Sequence, residues 1–468
     1  MVFAFRSSSP RSGTCWEADA ARAFAFDGKR PGAPGGSRSV CGSLARPGAV
    51  DPMPMSDVVI VGAGMAGLCC ALRLQEAGVR YRLVEAADAV GGRIRTDAER
   101  GFLFDRGFQM LLSSYPEAAR VLDYAALDLH FFDAGAVAYR DGEFIPVMDP
   151  WRHPATAWRT LTSDCGTWMD RLRVVRMRRR TLAADLQSVL MQPETTTREA
   201  LEREGFSADM RSTFFRPFLN GVFLESDLST SSRKFHWLMR MFACGRAALP
   251  AAGMGAIPAQ LAARLPADRI LLNTRVRRVA PGCVSLEDGR DLLCGQIVVA
   301  TDAATAVRLI DGLPEPAFHA VINLYYSLGE PPIRGPVLLL NGEERGPVNN
   351  LSFISEVSPH YAPKGSSLAS LTILGQSERS DRELDDAVRQ QLVGWFGMRV
   401  GEWKLERVYR IPVAVPAQPA GALAEIRRPA RLQNWLTVAG DWRNIASING
   451  AMESGRHAAE SVLERVLD

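Results

Sequence analysis

The chain has 468 residues, of which 47% are hydrophobic and 23% charged, and its formal net charge is +3. This length is too great for one hydrophobic core, so two or three core regions are expected. The nearly balanced charge excludes a strongly basic nucleic-acid-binding protein, and no apolar run approaches the roughly 20 residues of a membrane-spanning helix.

Residues 1–52 differ in composition from the rest, with six arginines and one lysine against four acidic residues. Three interpretations of residues 1–55 stay open: a transit peptide, a disordered extension, or a gene start assigned too far upstream. The third is favoured, with Met53 or Met55 as initiator, because a predicted strand follows Met55 directly. We expect a cytoplasmic protein, or a plastid one if the segment is a transit peptide.

A strand, a helix and a second strand are predicted first. Val58–Val61 is a short apolar, β-branched run typical of a buried parallel strand. Met65–Ala77 is a predicted helix that Gly78 ends, and Arg80–Glu85 is the second strand. This unit of about 30 residues is typical of a dinucleotide-binding fold.

The rest of the chain alternates between helical and strand patterns. Residues 102–245 are predicted to be mostly helical, whereas the segments near 321–374 predict an antiparallel sheet. Strands are predicted at Ile270–Val279, Ile297–Ala300, Val321–Leu328, Val337–Leu340, Leu351–Ile354, Leu368–Leu374, Trp403–Val413 and Trp435–Ala439. Helices are predicted at Asp381–Phe396 and from about Asn449 to Leu467.

The first glycine motif has the spacing of a phosphate-binding turn. It reads Gly62-Ala63-Gly64-Met65-Ala66-Gly67: the first glycine allows the tight turn, the second lets a pyrophosphate approach the backbone, and the third lets helix and strand pack closely. The helix start offers free N–H groups to the phosphates. Glu85, with Ala86 after it, ends the second strand, where a carboxylate can accept hydrogen bonds from ribose hydroxyls.

A second glycine-rich segment lies near the C-terminus, at Gly440-Asp441 and again from Ser447-Ile448 to Ala451. A helix that begins near residue 449 would stabilise the negative charge of a reduced flavin ring. A plain packing role for Gly450 and Gly455 is the alternative. Together with Gly91-Gly92-Arg93, whose guanidinium can neutralise a pyrophosphate, the two segments indicate FAD and not NAD.

These motifs resemble the flavin amine oxidase superfamily, which includes amine oxidases, protoporphyrinogen oxidase, and carotene and squalene desaturases. The resemblance covers residues 56–468 and implies an α/β protein: a glutathione-reductase-like, Rossmann-type FAD-binding domain with an inserted α+β substrate domain. The FAD-binding domain would comprise 56–110, 250–310 and 428–468, and the substrate domain 111–249 and 311–427. Family roles carried over by position put Glu85 at the adenosine ribose, Arg93 at the pyrophosphate or near the flavin, and Asp441 at the ribityl or phosphate region. They also put Val276 at the adenine, and Gly107 and Phe108 near the flavin.

Two departures from the amine oxidase pattern, together with similarity to the desaturases, indicate which branch of the superfamily the chain resembles. Ser447 stands where amine oxidases usually place an aromatic residue, and His319–Tyr325 lacks their usual lysine. Ala439-Gly440-Asp441-Trp442 and Gly253–Pro258 are similar to plant-type carotene and squalene-associated desaturases. The resemblance therefore implies an FAD-dependent desaturase or dehydrogenase of an apolar, isoprenoid or carotenoid-like substrate. An amine or protoporphyrinogen-type oxidase that uses O₂, and a non-catalytic FAD-binding protein, remain alternatives.

No catalytic base is assigned from the sequence; Asp105, Gln109, His236 and Tyr325 are polar candidates only. The flavin is expected to be non-covalent, because the C-terminal flavin segment has no suitable Cys or His. No metal site is predicted from the spacing of the Cys and His residues. The arginine-rich stretch 171–180 is interpreted either as a peripheral membrane contact or as a solvated helix face, and no oligomeric state is predicted.

Overall fold

The structure, a computed structural model, describes residues 56–152, 165–425 and 428–466. The three interpretations of residues 1–55 concern a segment outside these ranges. No helix within the ranges combines the length and the apolar character needed to cross a membrane.

The described chain opens with β1 (Ser56–Val61), α1 (Met65–Glu76) and β2 (Tyr81–Val84). Val58, Val59 and Ile60 are completely buried, which explains why this short run is apolar at every position. Gly78 follows the helix with φ of +73°, a conformation that glycine adopts without a steric penalty. The two predicted strands, the helix between them and the end of that helix at Gly78 are confirmed.

The remaining elements follow in chain order. The strands are β3 (Thr96–Glu99), β4 (Phe102–Asp105), β5 (Leu111–Leu112), β6 (Leu129–Phe131), β7 (Gly135–Arg140), β8 (Glu143–Met148), β9 (Ala247–Pro250), β10 (Ile270–Leu271), β11 (Val276–Ala280), β12 (Cys283–Leu286), β13 (Asp291–Val299), β14 (Phe318–Leu328), β15 (Leu339–Asn341), β16 (Val348–Phe353), β17 (Ser367–Leu374), β18 (Lys404–Pro416), β19 (Arg431–Gln433) and β20 (Leu436–Val438). The helices are α2 (Pro116–Val121), α3 (Trp168–Ala183), α4 (Leu186–Leu190), α5 (Thr197–Arg203), α6 (Ala208–Met210), a π-helical turn (Arg211–Phe215), α7 (Arg216–Phe223), α8 (Ser232–Cys244), α9 (Ala256–Ala262), α10 (Ala303–Leu309), α11 (Ile354–Val357), α12 (Asp381–Phe396) and α13 (Ile448–Val466).

The first sheet is a parallel sheet of the Rossmann type. Its parallel strands lie in the order β10-β2-β1-β13-β20. The carboxyl ends of parallel strands meet at one edge of a sheet, so the glycine-rich turn after β1 and the acidic end of β2 are neighbours there. This fold agrees with the predicted α/β class. The domain boundaries drawn from the sequence stay a prediction.

A three-stranded antiparallel meander, β11-β12-β13, extends the same sheet. The single strand predicted at Ile270–Val279 is wrong, because the structure divides it between β10 and β11. Asn273 has φ of +51°, which turns the chain. The N–H of Thr274 then donates to the carbonyl of Glu85 at 2.8 Å, so the turn is held against the end of β2.

The second sheet has the strand order β18-β14-β17-β16-β15-β7-β8. Its neighbours are antiparallel except for β15 and β7, which run parallel. The predicted antiparallel sheet is confirmed in its main strands. Helix α12 is confirmed with the predicted bounds, and its buried face packs on this sheet through Leu384, Val388 and Leu392.

The predicted helical character of 102–245 is wrong for its first third. Residues 102–148 form β4 to β8 and the short helix α2, and mainly helical structure begins only at α3. The partners of these strands lie far along the chain: Leu111 pairs with Ala248, and Val137 with Leu339. Pairing over such distances is decided by tertiary structure and leaves no local periodicity to recognise.

The last helix, α13, crosses α1 at very short distance. A Cβ atom on Gly455 would lie only 2.0 Å from the carbonyl oxygen of Ala66, so any larger residue would push the helices apart. The packing role considered for Gly455 is therefore present. It holds the part of α13 around Gly455 against the first turn of α1.

Candidate cofactor and substrate site

One cavity of about 830 Å³ extends from the glycine-rich turn to an aromatic region, and residues of both sheets contribute to its lining. Its lining contains fifteen of the eighteen residues predicted to bind the cofactor. These are Gly62, Gly64, Met65, Ala66, Glu85, Ala86, Gly92, Arg93, Phe108, Val276, Gly440, Asp441, Ser447, Ile448 and Ala451. Segments that are far apart in sequence thus meet at one site.

The other three predicted residues, Ala63, Gly67 and Gly107, do not line the cavity. Ala63 is fully buried and a Cβ on Gly67 would lie 1.8 Å from the carbonyl oxygen of Gly62. Gly107 has φ of +97°, and a Cβ there would approach Ile411 Cδ1 to 2.8 Å. These three residues lie behind the residues that line the cavity.

The start of α1 forms an open cradle. Gly64 is the N-cap residue and has no side chain to satisfy the helix N–H groups, which are unpaired in the first turn of any helix. A Cβ on Gly64 would meet no atom within 4 Å, so its open side faces the cavity. A phosphate fits both the space and the donors.

Glu85 holds the glycine-rich turn in place. Its Oε2 accepts a hydrogen bond from the N–H of Ala63 at 2.7 Å, and its Oε1 accepts from the N–H of Ala87 at 2.9 Å. Each carboxylate oxygen keeps a further acceptor position toward the cavity. Val276 lines the same end of the cavity.

Substituting Glu85 with Gln is expected to weaken cofactor binding about tenfold, because one backbone N–H loses its acceptor and the ribose loses a charged one. Titration of the apoprotein with FAD measures the affinity. Glu76→Gln, at an exposed position at the end of α1, is the matched control. An unchanged affinity in Glu85→Gln would contradict the role of the carboxylate.

An ion pair joins the two glycine-rich segments. Nη2 of Arg93 lies 2.6 Å from Oδ1 of Asp441, and Nη1 donates to the carbonyl of Ala414 at 2.7 Å. Burial lowers the pKa of Arg93, but the carboxylates of Asp441 and Asp302 more than compensate, so the net pKa is raised. The guanidinium is therefore a permanent positive charge in the middle of the cavity wall.

Gln109, one of the polar candidates from the sequence, lies beside this pair. Its Nε2 donates to the carbonyl of Arg93 at 2.9 Å, while its Oε1 is buried and has no hydrogen-bond partner among the described residues. A buried acceptor without a donor is costly. Because Gln109 lines the cavity, a bound group with an N–H or O–H fits this position.

The start of α13 forms the opposite wall. Oγ of Ser447 accepts from the N–H of Gly450 at 2.9 Å, which is a helix N-cap. Ile448 and Ala451 present small apolar surface to the cavity. The helix begins one residue before the predicted start, at Ile448.

The far end of the cavity is aromatic and aliphatic. It is lined by Phe218 and Phe223 on α7, by Trp237 and Phe242 on α8, and by Leu340 on β15. Part of the aromatic stretch noted in the sequence therefore faces the cavity, while Phe215 is buried in the core behind it. This end suits an extended apolar molecule.

Three of the polar candidates from the sequence, Asp105, His236 and Tyr325, do not line the cavity. Asp105 is fully buried and accepts hydrogen bonds from Thr96 Oγ1 at 2.5 Å, Tyr361 Oη at 2.7 Å and the N–H of Met254 at 2.9 Å. Desolvation raises the pKa of this carboxyl to about 6 despite these donors. Its role is to tie β4 to the 253–255 loop.

Sequence reasoning missed Lys234, which lines the cavity from α8. The family pattern directed attention to the strand segment His319–Tyr325 as the place for a lysine. One signal was present: Lys234 is one of only four lysines among 55 basic residues. It stands between apolar and aromatic positions of one helix.

A separate group of side chains has ligand atoms close enough for a metal ion. Asp128, His130 and His360 lie within 4.8 Å of one another, and the aspartate and His360 are exposed. The sequence spacing predicted no metal site, since His360 is distant in sequence. The group is outside the cavity described above.

The parallel sheet, its glycine-rich turn and the long cavity beside them are the features of a dinucleotide-binding protein. The family model described as flavin containing amine oxidoreductase matches residues 65–463, and the chain belongs to this family. The protein is therefore a flavin-dependent oxidoreductase. The resemblance inferred from the sequence is confirmed.

Two relatives match nearly over their full length. A hydroxysqualene dehydroxylase of Rhodopseudomonas palustris is 26% identical over 460 residues, which are 87% of this chain and 98% of the relative. A coproporphyrinogen III oxidase of Propionibacterium freudenreichii is 22% identical over 490 residues, covering 88% and 91%. The solved structure of cyclohexylamine oxidase from Brevibacterium oxydans has a TM-score of 0.66 at 18% identity, covering 89% of this chain and all of that one, and shows the shared fold.

Proposed function

We propose that the protein binds FAD non-covalently and desaturates or dehydrogenates a long apolar substrate of the isoprenoid class. The observation that carries the proposal is the continuity of one cavity from the phosphate cradle at Gly64 to the aromatic end at Trp237. A cofactor and an apolar substrate would then lie end to end without solvent between them.

FAD fits the cavity better than a mononucleotide, because both ends of a dinucleotide find suitable walls. Glu85 and Val276 suit an adenosine, Arg93 suits the pyrophosphate, and Ser447 to Ala451 suit a flavin ring. Non-covalent binding is supported by the lining, in which the described residues include no Cys and no His. When bound, FAD supplies a ring that accepts a hydride from a carbon–hydrogen bond.

The residues of this chain would bind, orient and shield the substrate. Phe218, Phe223 and Trp237 exclude water from the apolar end, which favours a hydrocarbon over a charged molecule. The positive charge of Arg93 and the N-terminus of α13 would stabilise negative charge in the cofactor. The relationship to a protein named hydroxysqualene dehydroxylase supports an isoprenoid substrate.

An absorbance spectrum of the purified protein, followed by anaerobic reduction and readmission of air, tests this function. We expect flavin bands that acid releases into solution, and slow reoxidation, since a desaturase of this type passes its electrons to a quinone or another acceptor. Absence of flavin even after reconstitution with FAD would contradict the proposal.

An O₂-dependent oxidase is the second candidate, favoured by the relationship to a coproporphyrinogen III oxidase. Rapid reoxidation in air with stoichiometric peroxide would support this candidate against the desaturase. Reduction by an isoprenoid but not by a porphyrinogen would support the desaturase. A flavin that no substrate class reduces would favour a non-catalytic FAD-binding protein.

We also propose that α3 contacts an anionic membrane surface, from which an apolar substrate would be taken. Trp168, Met169 and Leu172 expose 61%, 51% and 46% of their surface on this helix. Arg176 and Arg179 are exposed on the same helix. A helix that presents apolar and basic side chains together is typical of interfacial binding.

Co-sedimentation with vesicles of phosphatidylcholine and phosphatidylserine tests this contact. The triple substitution of Trp168, Met169 and Leu172 with Ser is expected to reduce binding at least tenfold. Met398→Ser is the matched control, because Met398 is 82% exposed but lies elsewhere. Failure of the unsubstituted protein to bind at low salt would exclude a membrane contact and leave α3 as a solvated face.

A further inference from the structure

A single lysine enters the apolar end of the cavity. Lys234 lies on α8, where residues three and four positions later share its helix face. Those residues, Trp237 and Leu238, line the cavity together with Lys234. Only 5% of the lysine surface is exposed, so its ammonium group faces the cavity and not the outer solvent.

The ammonium group of Lys234 has no matched partner in the described part of the chain. No described carboxylate or carbonyl is within ion-pair or hydrogen-bond distance of Nζ, and the group instead lies over the ring of Phe223, with Nζ 5.4 Å from the centroid. The attraction of a cation to an aromatic face is much weaker than the cost of burying an ammonium, so a further acceptor is needed.

Two buried carboxylates act on Lys234 from a distance. Burial lowers the pKa of Lys234 to about 8, and the charges of Asp441 and Glu225 oppose this effect. Both carboxylates already have closer partners: Asp441 pairs with Arg93, and Glu225 accepts from Ser229 Oγ and the N–H of Thr230 at 2.7 and 2.8 Å. His319, whose Nε2 lies 3.9 Å from Glu225, adds no fixed charge when neutral.

We infer that Lys234 binds a neutral oxygen, a hydroxyl or a carbonyl, on an otherwise apolar isoprenoid substrate. The inference rests on the proposed function, since it assigns the polar contact within the same substrate cavity. The negative potential of Asp441 and Glu225 disfavours a substrate carboxylate at this position. Phe218, Phe223 and Trp237 offer apolar surface to the rest of the molecule.

A neutral oxygen accepts a hydrogen bond from the ammonium group without bringing a second charge into the cavity. Hydrogen bonds that involve one charged partner are stronger than those between two neutral groups. The lysine would therefore select an oxygenated isoprenoid over the hydrocarbon of equal length. It would also fix which carbon of a long, nearly uniform chain stands beside the flavin, which makes it a positioning residue.

Calorimetric binding to the oxidised holoenzyme tests this inference with farnesol and farnesene, an alcohol and a hydrocarbon of the same chain length. We expect the holoenzyme to prefer farnesol at least tenfold at pH 7. Lys234→Met, which keeps the length and removes the charge, is expected to bind both ligands equally. Lys364→Met, at an exposed lysine, is the matched control and should keep the preference.

The pH dependence provides a measurement that needs no variant. Because the pKa of Lys234 is about 8, the ammonium is present at pH 7 and is lost as the pH rises through 8. The preference for farnesol should decrease between pH 7 and pH 9, whereas the affinity for farnesene should stay constant. Flavin content and melting temperature of Lys234→Met show whether the variant is folded.

The outcomes separate the inference from the proposed function. Failure of the holoenzyme to bind either isoprenoid would overturn the proposed function itself. Equal affinity of the holoenzyme for farnesol and farnesene, unchanged in Lys234→Met, would overturn the role of Lys234 alone. Tighter binding of farnesoic acid than of farnesol would also overturn it, because the site would then be an anion site.

Discussion

Gly67→Ala is expected to prevent stable folding, whereas Gly64→Ala is expected to leave the fold intact and weaken cofactor binding at least a hundredfold. A Cβ on Gly67 would lie 1.8 Å from the carbonyl oxygen of Gly62. The Gly62 oxygen and the Cα that carries the new methyl group both belong to the backbone of the tight β1–α1 turn, so neither can move without breaking the turn. The loss amounts to several kcal/mol, a large share of the stability of a typical protein.

Gly64 has the opposite surroundings. Its φ of −73° is accessible to alanine, and an added Cβ meets no protein atom within 4 Å. The methyl group would instead occupy the cradle in front of the helix N–H groups. We expect the affinity for FAD to fall at least a hundredfold, about 3 kcal/mol, because a phosphate then loses its close approach to the backbone.

Each variant adds one methyl group, and the two positions are three residues apart, so each is a control for the other. Thermal unfolding and circular dichroism of the apoproteins measure folding, and FAD titration measures affinity. Normal folding of Gly67→Ala would contradict the packing argument. Normal FAD affinity in a folded Gly64→Ala would show that the phosphate lies elsewhere.

Asp105→Ala is expected to destabilise the protein by about 4 kcal/mol at pH 4.5, since three buried donors lose their acceptor at about 1–3 kcal/mol each. The affected donors are Thr96 Oγ1, Tyr361 Oη and the N–H of Met254. Tyr361→Phe removes only one of these contacts and is the matched control, with an expected loss of about 1 kcal/mol.

The destabilisation by Asp105→Ala should become smaller as the pH rises. Burial raises the pKa of Asp105 from 3.8 to about 6, so the ionised form is less favourable in the folded state than in the unfolded state. The contribution of the neutral carboxyl is complete below pH 4 and is lost as the pH rises through 6. The difference between the two proteins should therefore narrow by about 2 kcal/mol between pH 4.5 and 7.5.

Chemical denaturation at both pH values measures this difference, and pH effects from other groups cancel in the comparison. Asp105→Asn cannot ionise. It should be more stable than Asp105→Ala, and the difference in stability between these two variants should not change with pH. A difference that grows with pH would mean that Asp105 is stabilised as the carboxylate, opposite to the effect of its burial.

The nucleotide-binding half could be predicted from the sequence because its signals are local. The turn at Gly62–Gly67, the strand before it and the acidic end of β2 all lie within about 30 residues, and steric rules determine what glycine at each position allows. The helix at Asp381–Phe396 could be predicted for the same reason. Its capping box at Ser380 and Glu383 and the helical spacing of its apolar residues lie in one continuous segment.

The part of the chain that forms the second sheet and the aromatic end of the cavity depended on long-range pairing and was predicted less well. The sequence pattern predicts mostly helix where β4 to β8 lie, because short strands such as Leu111–Leu112 carry no period of their own. The position of Lys234 in the cavity wall was missed for the same reason: its helical pattern does not say that part of the same wall belongs to β15, about 100 residues later in the chain.

The sequence by itself thus determined the class of cofactor and the family, because backbone sterics and a short motif are enough to define a phosphate-binding turn. Only the tertiary structure decided that Gly64 faces open space while Gly67 faces backbone, and that Asp105 is buried away from the cavity. It also decided that one lysine stands in an apolar pocket. These facts depend on which distant segments pack together, and packing is a property of the whole chain.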